Sequence, residues 1–188
     1  TQPGDEVIIE GGGHAMNLEG GAGAVISGVQ FSGISGNRGI FDAAQVEAAI
    51  RAEDAHLPVS RLVVIENTHN RGGGSVFPLK NILEIREVCN RKGVRMHMDG
   101  ARLANAAVRT AVPFERYGAL VDSVTFCFSK GLGAPVGSIL VSDAATIERA
   151  RVWRKRLGGG MRQAGVLAAA APVALERTVA RPAYAHPN

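Results

Sequence analysis

Lys130 lies between a short apolar run, Val124-Thr125-Phe126-Cys127-Phe128, and a glycine-rich turn, Gly131-Leu132-Gly133-Ala134-Pro135-Val136-Gly137. A lysine carried off a strand into such a turn is expected where solvation is poor. A desolvated amine is a nucleophile toward carbonyl carbon. Asp99 closes a second apolar run, Val94-Arg95-Met96-His97-Met98. It reads equally as an N-cap for a helix starting at Ala101 and as a carboxylate turned toward a ligand. Arg102, three residues on, has a planar fork suited to a carboxylate ligand or to a local ion pair. His14 follows three glycines that let backbone and ring come close to a ligand; a plain loop histidine is the competing reading. His56 and His69 are flanked by loop residues, and His97 reads as a hydrogen-bonded core residue.

Lys130 and Asp99 together suggest a specific chemistry. An amine that forms an imine with an aldehyde cofactor needs an acidic partner across the ring. Pyridoxal phosphate draws electrons only while its pyridine nitrogen stays protonated, and a carboxylate beside that nitrogen holds the proton there. Asp99 is a candidate for that carboxylate.

These residues must be held by regular elements. Strands are expected at Glu6–Glu10, Leu62–Glu66, Val94–Met98, Ser123–Phe128 and Ser138–Val141, mostly as continuous apolar runs. Between them, helices are expected over Ala43–Glu53 with Asp42 as N-cap, Pro78–Lys92 with Gly93 as the stop, and Ala101–Val108. Two more follow, from Ala144 to Leu157 and from Gln163 to Val179 with a kink at Pro172. Segment 20–26 reads as a helix start or a loop. Alternation of this kind predicts a three-layer α/β/α domain around a mostly parallel sheet. Ligands of such sheets bind at the carboxyl ends of the strands, where Asp99, Glu66-Asn67-Thr68 and Lys130 converge.

Bulk properties narrow the function. At 188 residues and 46% hydrophobic composition the chain supports one sizeable core. The charge of +4 raises nucleic acid as a partner, but the cations are dispersed apart from five between Arg149 and Arg156. Aromatics are only 5%, so neither a basic stripe nor a stacking platform is present and no nucleic-acid partner is expected. No run of about 18 apolar residues predicts a membrane span. Cys89 and Cys127 belong to no ligand or redox pattern, which predicts a reduced, cytoplasmic protein without a bound metal.

Five segments in order carry a resemblance. They are His14-Ala15-Met16-Asn17-Leu18-Glu19-Gly20-Gly21, Glu66-Asn67-Thr68-His69-Asn70 and His97-Met98-Asp99-Gly100-Ala101-Arg102-Leu103. Phe128 to Gly137 and Arg156-Leu157-Gly158-Gly159-Gly160-Met161-Arg162-Gln163 complete the set. The chain resembles the threonine aldolases, pyridoxal-phosphate enzymes of the aspartate-aminotransferase-like class, over nearly its whole length to about residue 177. The resemblance implies a carbon–carbon lyase that cleaves threonine or allo-threonine to glycine and an aldehyde. It gives Lys130 the imine to the cofactor, Asp99 the pyridine nitrogen, His14 the stacked ring and Arg102 the substrate carboxylate. His56 would stand near the substrate β-hydroxyl, with His69 as its competitor, and Arg162 would lie on the phosphate side or at a subunit interface. His56, His14 and an ordered water are all open as the base. The resemblance further implies a homo-oligomer, a dimer of dimers. It also implies an earlier segment bearing part of the phosphate site and a C-terminal small domain with a second arginine, so the chain reads as a fragment with weak or no activity alone. On this reading 1–177 is a partial cofactor-binding domain and 178–188 a divergent tail. An aminotransferase or β-eliminating lyase on the same scaffold, and a non-catalytic chain, are the alternatives.

Overall fold

The computed structural model describes residues 1–179 and contains one six-stranded sheet. The strands are β1 (Glu6–Glu10), β2 (Gln30–Ile34), β3 (Ser60–Glu66), β4 (Arg95–Gly100), β5 (Ser123–Cys127) and β6 (Ser138–Ser142). Their order is β2-β1-β3-β4-β5-β6. The first five run parallel, and β6 turns back antiparallel on β5. The carboxyl ends of β1, β3, β4 and β5 therefore share one rim. Glu66 is in register with Asp99, and Asp99 with Thr125.

Apolar residues of β1 and β3 feed both faces of the sheet, as expected for buried parallel strands. Ile8, Val63 and Ile65 join a large core, while Val7, Ile9 and Val64 join a smaller one across the sheet. The larger core is filled by α3 (Ala43–Ala49), α4 (Leu79–Lys92), α5 (Leu103–Thr110) and α6 (Phe114–Gly118). Ile82, Ile85, Val88 and Cys89 form the buried stripe of α4, which Gly93 ends in a left-handed conformation. The short helices α1 (His14–Asn17) and α2 (Ala22–Val25) lie against the smaller core and β2 on the other face. The α/β/α layering is present with layers of unequal weight.

Several boundaries differ from expectation for identifiable reasons. α3 has its expected capping box between Asp42 and Gln45 but stops at Ala49, not Glu53. Arg51 turns inward instead: its Nε donates to the Glu6 carboxylate at 2.7 Å, and Ser60 Oγ donates to the same carboxylate at 2.8 Å. Glu6 is fully buried, and an unpaired charge there would cost far more than a turn of helix. α5 starts at Leu103 rather than Ala101, because the backbone at Arg102 is still non-helical (φ −127°, ψ 30°), and the Ala101 N–H donates to Asp99 Oδ1 at 3.1 Å in the turn ahead of it. α7 (Ala144–Arg156) follows the Asp143 cap. The last expected helix is two, α8 (Gly165–Ala168) and α9 (Ala170–Val179). Pro172 has no N–H to return to the Ala168 carbonyl, so the helix breaks ahead of it and proline falls in the first turn of α9. The boundary expected after residue 177 falls inside α9, and the remainder of the expected tail lies outside the described residues.

β2 and α6 are not foreseen in the sequence. β2 is an edge strand, Gln-Phe-Ser-Gly-Ile, with neither an apolar run nor clean alternation, and its partner β1 makes it a strand. α6 is barely more than one turn, held by burial of Tyr117 and its contact with Thr110 Oγ1 at 3.0 Å.

Candidate active site

Glu66 and Asn67, consecutive residues at the end of β3, tie two flanking strand ends together. Glu66 Oε2 accepts the main-chain N–H of His14 at 2.9 Å, and the Asn67 N–H donates to the Asp99 carbonyl at 2.8 Å. His14 beyond β1 and Asp99 on β4 are thereby fixed on either side of β3. The glycine run before His14 makes this possible. A Cβ on Gly13 would stand 2.9 Å from both the Glu10 carbonyl and the Ile9 side chain. Only glycine lets the chain fold that tightly over the strand end.

The His14 ring is partly exposed, and its Nε2 lies 2.9 Å from Glu19 Oε1. Asp99 is half-buried, and one of its oxygens serves the Ala101 N–H. The N-cap of α5 is Arg102 and not Asp99, which steadies the entry to the helix as a short turn and keeps a carboxylate at the rim. Arg102 follows at the start of α5 and forms no ion pair among the described residues.

Lys130 lies three residues past β5, in the hairpin to β6. Gly133 N–H to the Lys130 carbonyl, Ala134 N–H to the Phe128 carbonyl and Phe128 N–H to the Gly137 carbonyl close this loop on itself. The loop leans on α5, since a Cβ on Gly131 would overlap the Asn105 side chain. Lys130 therefore stands at the same rim as Asp99. The expectation of poor solvation is not met: Lys130 is exposed. The loop closes through main-chain hydrogen bonds and turns Leu132 and Ala134 into the core, while Lys130 lies on its outer side and projects into solvent.

The histidines separate clearly. His69 is at the rim and only 2% exposed. Its Nδ1 accepts the Gly72 N–H at 3.0 Å, and its ring lies so close to Gly39 that a Cβ there would overlap it. Its Nε2 is 3.1 Å from Glu10 Oε2 and 3.7 Å from Glu66 Oε2, yet the N–H points off the line to either, so two carboxylates crowd it without a formed hydrogen bond. His56 is not brought to this rim. It is exposed in a turn closed by the Leu57 N–H to the Asp54 carbonyl, ahead of the amino end of β3. Four residues from Ser60 reach about 13 Å, against about 20 Å for the strand itself. His97 donates or accepts at Nδ1 with Ser123 Oγ, 2.7 Å away. Burial pushes its pKa down, against the opposing influence of Asp99 and the Ser123 main chain. Arg162 is exposed in the segment after α7, with no hydrogen bond or ion pair among the described residues to join it to the others.

Asn67, expected at this rim with Glu66 and Thr68, gains a specific part in it. Its side chain is fully buried, and Oδ1 accepts the Phe77 N–H at 3.1 Å. That bond fixes the orientation of the amide and leaves Nδ2 buried without a partner, beside Asp99. A buried donor lacking an acceptor is costly. A polar residue immediately after the apolar run of β3 was the available signal. Among the described residues, no cluster of His, Cys, Asp and Glu has the makeup of a metal site.

A family model described as beta-eliminating lyase matches residues 1–188. The chain belongs to the beta-eliminating lyase family. Its relatives include a low-specificity L-threonine aldolase of Escherichia coli K12, 39% identical over 186 residues, covering 98% of this chain and 55% of the relative. A low-specificity L-threonine aldolase of Arabidopsis thaliana is 41% identical over 186 residues, covering 97% of this chain and 52% of that protein. The chain spans about half the length of the relatives it matches. The fold of this family member is also that of a Leishmania major threonine aldolase, with a TM-score of 0.82 at 22% identity, over 98% of this chain and 54% of the other.

Proposed function

We propose that this chain is the cofactor-binding part of a pyridoxal-phosphate-dependent aldolase that cleaves L-threonine or L-allo-threonine to glycine and acetaldehyde. The observation that carries the reading is the junction at Glu66-Asn67, which holds His14 and Asp99 on either side of a buried, unpartnered amide. The residues present fit the cofactor: an amine, a carboxylate, a ring and an orphaned donor share one rim. The names of the E. coli and Arabidopsis relatives support the same activity.

Pyridoxal phosphate, when bound, supplies an electron sink for the pair left on Cα as the Cα–Cβ bond breaks. The chain supplies the rest. Lys130 offers the amine that the cofactor's aldehyde joins, and Asp99 holds a proton at the pyridine nitrogen. Asn67 Nδ2 donates to a polar atom of the ring system. His14 covers the ring, and its imidazole receives the β-hydroxyl proton. Arg102 carries a guanidinium without an ion-pair partner for the substrate carboxylate, and Arg162 an exposed cation for the phosphate side. His56 drops out of this reading because it stands at the other end of the sheet. Acetaldehyde leaves, and a proton delivered to Cα completes glycine.

We further place the protein in the cytoplasm as a homo-oligomer. Both cysteines are free. No helix among the described residues is long and apolar enough to cross a membrane. Trp153, Leu157, Met161 and Val166 line up as exposed apolar residues along α7, the following turn and α8, suited to a second copy.

The test is to incubate the protein and its Lys130→Ala variant with cofactor and L-allo-threonine. Acetaldehyde and glycine in equal amounts from the first only, with cofactor mass fixed on Lys130 by borohydride, support the reading. Keto acid in place of acetaldehyde, or equal behaviour of the two proteins, overturns it.

A further inference from the structure

We infer that Glu66 is a positioning residue that sets where His14 stands. The inference rests on the proposed role of His14 against the cofactor. Glu66 is 7% exposed, and each of its oxygens has a separate task. Oε2 accepts the His14 N–H at 2.9 Å, and Oε1 accepts the Asn70 N–H at 2.9 Å. One carboxylate thus joins the loop after β1 to the loop after β3, across 52 residues of sequence. Among the described residues no other hydrogen bond anchors the His14 main chain to another strand; its carbonyl accepts the Leu18 N–H at the end of its own helix.

The group behind Glu66 is equally constrained. His69 is locked at Nδ1 by Gly72, so its proton stands on Nε2, between Glu66 Oε2 and Glu10 Oε2. Glu10 is in turn held by the main-chain N–H groups of Gly12 at 2.7 Å and Gly36 at 3.3 Å. Both ring nitrogens of His69 face the protein. In this arrangement His69 presents no nitrogen to a substrate. Replacing the Glu66 carboxylate by an amide leaves one acceptor where two main-chain donors need one each, so the His14 or the Asn70 N–H meets an NH₂ group.

The link is tested first in the cofactor-free protein, by hydrogen exchange and the amide NMR shift of His14. Glu66→Gln should speed exchange of the His14 amide about tenfold relative to neighbouring amides of α1 and move its shift upfield. Glu66→Asp, which keeps the charge but withdraws it by one methylene, should do the same and serves if the first variant fails to fold. The second measurement is a titration with pyridoxal phosphate read by visible absorbance and induced circular dichroism. Glu66→Gln should weaken binding about tenfold in the native background and less than twofold in a His14→Ala background. Equal weakening in both backgrounds would show a merely structural carboxylate, and an unchanged His14 amide would remove the link altogether. If the unaltered chain binds no cofactor, the proposed function fails, and the His14 amide still decides the link to Glu66.

Discussion

The rim of β1, β3 and β4 and the end of β5–β6 carry the two halves of the same candidate site, and they are built differently. In the first, Glu66, Asn67 and His69 are buried and fastened by main-chain donors. In the second, Lys130 is exposed, β6 has no buried residue, and α7 buries none either. An apolar groove of about 360 Å³ lies open there, lined by Phe126, Phe128, Ile139, Val141 and Leu175 among others. The difference teaches that the chain itself fixes the groups that orient a ring. The groups that would bond to the cofactor are left to the ligand and to whatever covers this face.

The sharpest break in the comparison comes from chemistry without stability. Lys130→Ala should lower threonine cleavage by at least about 10³-fold while changing the urea midpoint by less than about 0.5 kcal/mol in ΔG, because an exposed side chain leaves no cavity. A large loss of stability would mean that the lysine loop is part of the packed half. Next, Met98→Ala, in the fully buried core under Asp99, should cost about 2–5 kcal/mol, whereas Val141→Ala on β6 should cost less than about 0.5 kcal/mol. Similar values for the two would erase the contrast between halves; denaturant titration of both variants measures it.

Two pH windows sharpen it further. His97 has its folded pKa pushed down by burial, so the unfolded chain binds the proton more readily. Its neutral form supports the fold above the ordinary histidine value of about 6.5, and stability falls as the pH drops below that. His97→Gln should flatten this window. Asp122 shifts the same way for a different reason. Burial pushes its carboxyl up, but the hydrogen bonds from Arg86 at 2.6 Å and from the Met96 N–H at 2.7 Å outweigh that and hold it below the ordinary value. Its contribution is present above about pH 4 and is lost as the pH falls through the depressed folded value. Asp122→Asn should remove the lower window and leave the upper one; urea midpoints across pH 3 to 8 separate the two. The smallest effect is on thiols. Burial raises the Cys89 pKa to about 11, with Arg86 lowering it and Asp122 raising it, so Cys89 should resist iodoacetamide at pH 8 while half-buried Cys127 is labelled. Labelling of Cys89 in folded protein would show that α4 opens more readily than the tight core implies.

Much of this architecture is legible along the chain. The apolar runs of β1, β3, β4 and β5, the Asp42 box, the Gly93 stop and the Asp143 cap are local signals, because strand burial and helix ends depend on neighbours a few residues away. The same locality explains why Asp99 and Lys130 could be picked out: each stands where an apolar run gives way to a turn. β2 was not legible, since an edge strand of mixed polarity is a strand only by pairing with β1.

Residue types and order therefore determined the layers, the strand ends and the list of groups able to do chemistry. Only the tertiary structure decided which of them meet. His14, Glu66, Asn67 and Asp99 are brought together by register between parallel strands, over separations that no local pattern encodes. It also decided that His69 and not His56 stands at that rim, and that Lys130 is solvated. Which end of a strand a loop histidine occupies, and whether a loop amine is covered, depend on the direction of the chain and on neighbouring elements. Those are properties of the packed sheet and not of the segment that carries the residue.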